Sequence, residues 1–587
     1  MYTNTMKPQT KNCKNCNQDF IIETSDFSFY EKIKVPPPSW CPNCRCIRRM
    51  VHRNERNLFK RTCDVTGKNI ISIYRADCPY TICDKDFYFS DDFDPFKYGV
   101  EYNPEVSFFE QFYEFAKKVP TPSLFVRNSE NCEYNQDMSG ASNCYLCSRT
   151  HDSKNMFYTY RGNKSSDCYD CFQAIEASEF LYECVNVATC SNSQFIHFCE
   201  KCSDSSFLYN CVGCVDCFMC TDLRNKQCCY KNVQYSREDY KKILDSYNLN
   251  TIEGQKKALT EFEDLLKKYP RKNLTIIRSN DVSGDNIVDS KDSHNVWNTK
   301  GLENCAYVWD SMKFHDSMDT YSGASVELVY EATATTAHSN NCHFCVRVYK
   351  GSLDCEYSWF LQNCSNCFGC ISLKSKEYCI FNTQYTKEDY FELLEKIKNQ
   401  MMKDGEYGEF FPLYTSPFPY NDTVSQEYFP WDEKRALEKG MQWGSFEDKN
   451  YKPTISATDL PNDIKDVDDS ILNEVIGCEH NGACLHGCTK AFRIVADELA
   501  YYRRKNIPLP RKCANCRYYR RLEYRNPTIL RDMVCMCTGD ELSNGVYKNT
   551  ITHTHGASPC GKNIQTTIKE DGGYIIYCDE CYKKEVF

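Results

Sequence analysis

The sequence predicts a mostly β chain: a duplicated, β-helix-like solenoid with capping helices, flanked at both ends by small cysteine-rich metal modules. Three observations carry this. Short units of a small residue, a polar residue, then Cys, Met or Phe, then an aromatic or Leu recur at Cys132, Cys144, Met156, Cys168 and Phe180, a spacing of twelve. The beat continues less strictly through Phe195, Phe207, Cys217 and Cys228, and a short period held this long means a solenoid. Cys214, Cys217, Cys220 and Leu223 match Cys364, Cys367, Cys370 and Leu373 at an offset of 150, as does 229–240 against 379–390. Closely spaced cysteine pairs sit near both ends.

Within a unit, the alternation in Cys132-Glu133-Tyr134 predicts a short strand with one buried face. Asn, Asp, Ser and Gly between units predict turns. Twelve residues span roughly 40 Å fully extended, so a complete coil of one unit would enclose only small side chains. Because Met156, Phe180, Tyr182 and Phe195 need room, two units per coil are expected, with the one-unit coil as the alternative. Both copies then turn helical. Ser236 with Asp239, and Thr386 with Asp389, have capping-box spacing. Apolar residues follow at helical intervals, namely Tyr240, Ile243, Leu244 and Tyr247, then Tyr390, Leu393, Leu394 and Ile397. A helix there would cover unpaired strand edges at the solenoid end.

The chain of 587 residues, with net charge −10, is long enough for several domains. No apolar run approaches membrane-spanning length and the first residues lack an apolar signal region, so a cytoplasmic protein with no membrane partner is expected. In that setting the 41 cysteines mean metal sites plus small buried hydrophobes rather than disulfides. They divide as 8 before residue 100, 15 in the first solenoid copy, 8 in the second and 10 after residue 470.

At the N-terminus, Cys13-x2-Cys16 and Cys41-x2-Cys44 form two knuckles, the commonest closed zinc set. Phe20, Ile22, Phe27, Phe29 and Tyr30 between them supply a small core. This stretch, with Pro36 and Arg45, resembles the bacterial "probable zinc-ribbon" domain of treble-clef type over about 35 residues. That family typically carries Glu-Gln where Ser25-Asp26 stand here. The resemblance implies zinc and no activity.

The same module returns at an offset of 472, with Phe492, Ile494, Tyr501, Tyr502, Pro508 and Pro510 matching Phe20, Ile22, Phe29, Tyr30, Pro36 and Pro38. Its expected ligands are Cys484, Cys488, Cys513 and Cys516. A second module follows each ribbon. Cys535, Cys537, Cys578 and Cys581 make a set, for which Cys560 or the pair His553 and His555 could substitute one ligand. The N-terminal counterpart, Cys63, Cys78, Cys83 and Asp86, looks eroded, with a carboxylate in place of a thiol. Three to four zinc ions are expected. The overall layout is also similar to large uncharacterised cysteine-rich zinc-ribbon proteins, which carry no known activity.

The predicted domains are the N-terminal ribbon (1–62), a degenerate module and connector (63–127) and solenoid copy one with its capping helix (128–250). A linker helix (251–276), copy two with its capping helix (277–403) and an aromatic, Pro-rich strap (404–477) follow, then the C-terminal ribbon (478–534) and a last metal module (535–587).

Residues 41–61 carry seven basic side chains against Glu55 alone, and 501–536 carry ten against two acidic ones. With a net charge of −10 the rest must be acidic. Arg45, Arg48, Arg49, Arg53, Arg517, Arg520, Arg521 and Arg525 therefore fit two roles. They could grip the phosphates of RNA or DNA, or dock onto the acidic solenoid of the same chain. The first makes the chain a non-enzymatic, nucleic-acid-associated zinc scaffold; the second, a structural protein whose solenoid binds other proteins. A third reading, a carbohydrate-active enzyme, rests only on the carboxylate pairs Asp167/Asp170 and Asp316/Asp319. Cys211, Cys214, Cys217 and Cys220, at every third position, have iron–sulfur-like spacing without the rest of that motif. No catalytic residue is assigned.

Overall fold

The computed structural model describes residues 7–445, 452–484 and 487–586. Two stacks of mostly parallel strands form its centre, a thirteen-stranded sheet within 126–234 and an eleven-stranded sheet within 276–384. The solenoid and its duplication are both present.

Each coil consumes one twelve-residue unit, not the expected two. Strand Gln136–Ser139 lies parallel to Ser148–His151, which lies parallel to Tyr160–Asn163, each residue beside the one twelve further on. A thirteen-residue step, as from Phe172 to Val185, absorbs a single insertion. The coil is this narrow because the backbone turns left-handed at every third residue. Asn131, Tyr134, Asp137, Gly140, Asn143, Leu146, Arg149 and Asp152 have φ between 48° and 63°. Such corners bend twelve residues into four sides of three. A left-handed L-residue costs about 1–2 kcal/mol, least for Asn and Asp, which is why those two types crowd the corners.

The residue after each corner points inward. Met138, Ala141, Cys144, Cys147, Thr150, Ser153, Met156 and Thr159 are all buried. The interior is polar in a specific way. Ser358 Oγ donates to the Glu356 carbonyl (2.9 Å) and accepts from the Cys370 amide of the next coil (3.1 Å). Ser205 accepts likewise from Cys217 N (3.1 Å), and Cys190 Sγ from Cys202 N (3.5 Å). Amides of the inward residues need a small acceptor inside the coil, and Ser and Cys supply it without excess volume. Cys211, Cys214, Cys217 and Cys220 are simply the four inward positions of one coil. Each thiol turns to the carbonyl two residues back (3.3–3.6 Å), and the four do not converge on one point.

The aromatics that seemed to demand a wide interior lie outside it. Phe157 stacks on Tyr169 and Phe195 on Phe207, with ring centres 4.6 and 4.7 Å apart. Tyr182 joins the same outer ladder. Helices Ile252–Leu266 and Ala496–Lys505 cover it. Phe180 is a half-exposed corner residue beneath Arg504. On open faces corner amides form ladders, Asn131 to Asn143 (3.1 Å) and Asn143 to Asn155 (3.3 Å). Both capping helices form, Arg237–Ser246 and Lys387–Asp404, with Ser236 Oγ and Thr386 Oγ1 accepting the Asp239 and Asp389 amides.

The chain divides into two compact units. One joins Met1–Leu124 to Leu274–Gly444; the other joins Phe125–Asn273 to Ser445–Phe587. The N-terminal module therefore belongs with solenoid copy two, and the C-terminal modules with copy one. In the first unit the opening part of the strap meets the solenoid, with Phe411 edge-on to Trp359 at 5.3 Å. Its residues 446–451 lie outside the described residues.

Replacing Ser358 by Ala leaves the buried Cys370 amide without an acceptor and should lower unfolding free energy by about 1–3 kcal/mol. Ser358→Cys should cost less, because sulfur can still accept. Denaturant unfolding of both variants checks this.

Candidate metal centres

Strands Gln9–Asn12 and Asp19–Ile22 pair antiparallel and present the first knuckle at their turn. The second knuckle opens helix Pro42–Met50, with Cys41 as its N-cap. Cys13, Cys16, Cys41 and Cys44 converge with their sulfurs within 4.8 Å of one another. Cys16 and Cys41 are 3.8 Å apart, and a tetrahedral ion with metal–sulfur bonds of about 2.3 Å would hold its sulfurs roughly 3.8 Å apart. The Cys41 amide donates to Cys13 Sγ (3.1 Å) and Asn15 Nδ2 to Cys44 Sγ (3.3 Å). The Cys41 thiol is held down to about 5, chiefly by hydrogen bonding with the Cys44 thiol. The donor set therefore fits a thiolate-bound cation.

The C-terminal module repeats this with one exchange. Cys478, not Cys484, joins Cys488, Cys513 and Cys516. The Cys513 amide donates to Cys478 Sγ (3.3 Å), as Cys41 does to Cys13. Strand Ile476–Gly477 precedes Cys478 and pairs with Ala491–Phe492. Cys478 is thus the equivalent of Cys13, displaced in sequence by a longer knuckle that puts nine residues between it and Cys488. Cys484 sits on that longer turn, 3.6 Å from Cys516 and grouped with His480. The offset of 472 hid this, because it aligns only the residues after the insertion.

In the last module the four sulfurs that converge are those of Cys535, Cys560, Cys578 and Cys581. Cys560 replaces the expected Cys537. Its amide bonds to the Cys537 carbonyl (2.9 Å), and its thiol lies 4.0 Å from Cys578. Cys537 turns instead to His555 Nε2 (3.3 Å) and His553 Nδ1 (3.6 Å).

Cys63, Cys78, Cys83 and Asp86 do not come together among the described residues. Cys63 Sγ accepts the Thr66 and Asp84 amides (3.2 and 3.1 Å). Cys78 donates to Pro417 O, Cys83 to Thr121 O, and Asp86 pairs with Lys85. The knuckle shape survives, but Asp84 caps helix Lys85–Phe89 where Cys578 precedes helix Asp579–Val586. Both residues donate an amide to the knuckle sulfur, Cys63 or Cys535, at 3.1 Å.

Six of the eight arginines are buried, and Arg520 and Arg525 are half-buried. From helix Pro42–Met50, Arg45 reaches Asp319 (2.9 Å), Arg48 reaches Glu331 (2.9 Å) and Glu409 (2.8 Å), and Arg49 reaches Asp319 (3.2 Å) and Glu331 (2.8 Å). From helix Ala514–Leu522, Arg517 reaches Asp170 (2.9 Å), Arg520 reaches Glu183 (2.6 Å), and Arg521 reaches both Asp170 (3.0 Å) and Glu183 (3.3 Å). Asp170, Glu183, Asp319 and Glu331 are all left-handed corners of the solenoid. Burial raises the Glu183 and Glu409 carboxyls, but Arg520 and Arg521, and Arg48, outweigh it and hold them low; at Asp170 burial prevails and its carboxyl is raised. Arg53 pairs with Glu55, and Arg525 lies over the Phe172 ring. The carboxylate pairs of the third reading are these same partners, with Asp167 on Arg504 and Asp316 on Lys32 completing them.

No family model matches the chain, and no curated protein matches it. A crystal structure described as a "putative acetyltransferase from Desulfovibrio desulfuricans G20" aligns at 10% identity, over 48% of this chain and 81% of its own, with a TM-score of 0.09. A likeness that slight carries no argument. No helix among the described residues is long and apolar enough to cross a membrane.

Arg49→Met or Arg521→Met would take one of two arginine partners from each of two buried carboxylates and should destabilise its unit by about 1.5–3 kcal/mol, read as a lowered denaturant midpoint. Cys478→Ser should release the ion of the C-terminal knuckle pair while Cys484→Ser retains it, as counted by elemental analysis of the purified variants.

Proposed function

We propose that the chain is a non-enzymatic, zinc-binding scaffold of the cytoplasm, in which two zinc-ribbon modules of treble-clef type clamp two solenoid copies that present long faces to protein partners. The observation that carries this is the internal use of charge. Six of the eight arginines are buried, and the two half-buried ones are engaged within the chain, Arg520 with Glu183 and Arg525 over the Phe172 ring. The alternative, RNA or DNA held by the ribbons, would need those guanidinium groups free for phosphate. The carbohydrate-active reading loses its carboxylates to the same clusters. Zinc is favoured by the four-thiolate sets, whose closed geometry suits structure rather than catalysis.

The test is titration of labelled single-stranded RNA and duplex DNA with the purified, zinc-replete protein at two salt concentrations. No salt-sensitive binding is expected. Binding that weakens with salt at a slope of about 0.7–0.9 per phosphate contact, and that Arg520→Ala abolishes, would overturn the proposal in favour of nucleic acid.

A further inference from the structure

We infer that Cys537, His553, His555 and Cys581 hold a second zinc ion beside the four-cysteine site, with the Cys581 thiolate shared between the two. The inference rests on reading the terminal modules as zinc sites. Three distances define the new site: Cys537 Sγ to His555 Nε2 is 3.3 Å, Cys537 Sγ to His553 Nδ1 is 3.6 Å, and Cys581 Sγ to His555 Nε2 is 3.4 Å. A tetrahedral zinc with bonds of about 2.0 Å to nitrogen and 2.3 Å to sulfur would place these atoms roughly 3.5 Å apart.

The outer contacts of the two imidazoles point the same way independently. His553 Nε2 lies 2.8 Å from Glu585 Oε1, and both side chains are buried. His555 Nδ1 lies 2.6 Å from the Ser558 carbonyl. A carboxylate and a carbonyl accept only, so each of these ring nitrogens must carry the proton. The other nitrogen of each ring then aims a lone pair at Cys537, and His555 aims at Cys581 as well. An imidazole whose far nitrogen is held by a carboxylate or carbonyl is the usual arrangement of a zinc ligand. Glu585 is itself fixed by the Tyr547 hydroxyl (2.6 Å) and the Thr550 amide (3.0 Å). Asn549 Nδ2 donates to Cys537 Sγ (3.2 Å), stabilising negative charge on that sulfur.

Cys581 belongs to both donor sets, with Cys535, Cys560 and Cys578 on one side and Cys537, His553 and His555 on the other. Seven side chains thus offer two four-ligand sites with one bridging sulfur, one all-sulfur and one mixed.

Zinc per chain is counted by elemental analysis, and cobalt(II) spectra are recorded for the full-length protein and variants. His553→Ala/His555→Ala should lose one zinc per chain and the mixed sulfur–nitrogen cobalt bands while keeping the all-sulfur bands. Cys560→Ala should lose only the all-sulfur ion of this module. His553→Cys should restore the count with an altered spectrum, separating ligation from a folding defect. An unchanged zinc count in His553→Ala/His555→Ala overturns the second ion while leaving the ribbons intact. A wild-type protein without zinc overturns both readings.

Discussion

The rest of the structure follows from a backbone that turns left-handed every third residue. That constraint makes the coil four-sided, sends one residue in three inward, and leaves a narrow interior in which the Phe314 ring fits only beside the side-chain-free Gly323. It also turns amides of the inward residues into the coil, where a small acceptor meets them. Cysteine and serine satisfy volume and hydrogen bonding together, so the column Cys342, Cys355, Cys367 and Cys379 rises through successive coils without being a ligand set. Other aromatic residues are displaced to the outer face. There they stack from coil to coil and create the apolar ground on which helices and terminal modules dock.

The same corners explain the charge pattern. A left-handed position favours a short polar side chain, and a corner side chain projects outward. Asp170 and Glu183 in one copy, and Asp319 and Glu331 in the other, project from adjacent coils toward one helix each. The helix answers with arginines at matching turns, Arg517, Arg520 and Arg521 against Arg45, Arg48 and Arg49. The correspondence extends to neutral partners. Tyr158 donates to Glu498 (2.9 Å) where Tyr307 donates to Asp26 (3.1 Å). Two units built on one plan are thus interleaved along the chain, the outer module of each end belonging to the solenoid copy farther from it in sequence.

Much of this was legible in the sequence. The repeat, the duplication, both capping helices and the first four-cysteine set depend on local spacing, which a linear reading sees. Coil size was not, because Phe195 and Tyr182 carry no mark distinguishing an inward from an outward position until corner conformation is known. The triplet spacing Cys211, Cys214, Cys217 and Cys220 was the signal that could have shown it, four inward sites spaced by three. Cys478 was missed because an insertion within the knuckle breaks the offset that identifies the other ligands. Cys560 was foreseen only as a substitute, since its pairing depends on a strand contact between distant residues, 531–534 with 563–566. The arginines were equally compatible with phosphate and with carboxylate, and composition alone does not choose between them.

The metal knuckles and the arginine clusters are coupled through a single helix in each module. Cys41 and Cys513 cap their helices, and Cys44 and Cys516 lie in the first turn. The arginines begin at the next residue, so an ion holding both cysteines fixes the axial position and rotation of the helix just before its cations. Burying several guanidinium groups with carboxylates is favourable only when geometry is tight, because desolvation of each charge costs several kcal/mol. A helix free to rotate would not meet that condition. The thiolates thus serve the solenoid indirectly, by presenting arginines at the one angle at which two adjacent coil corners can accept them.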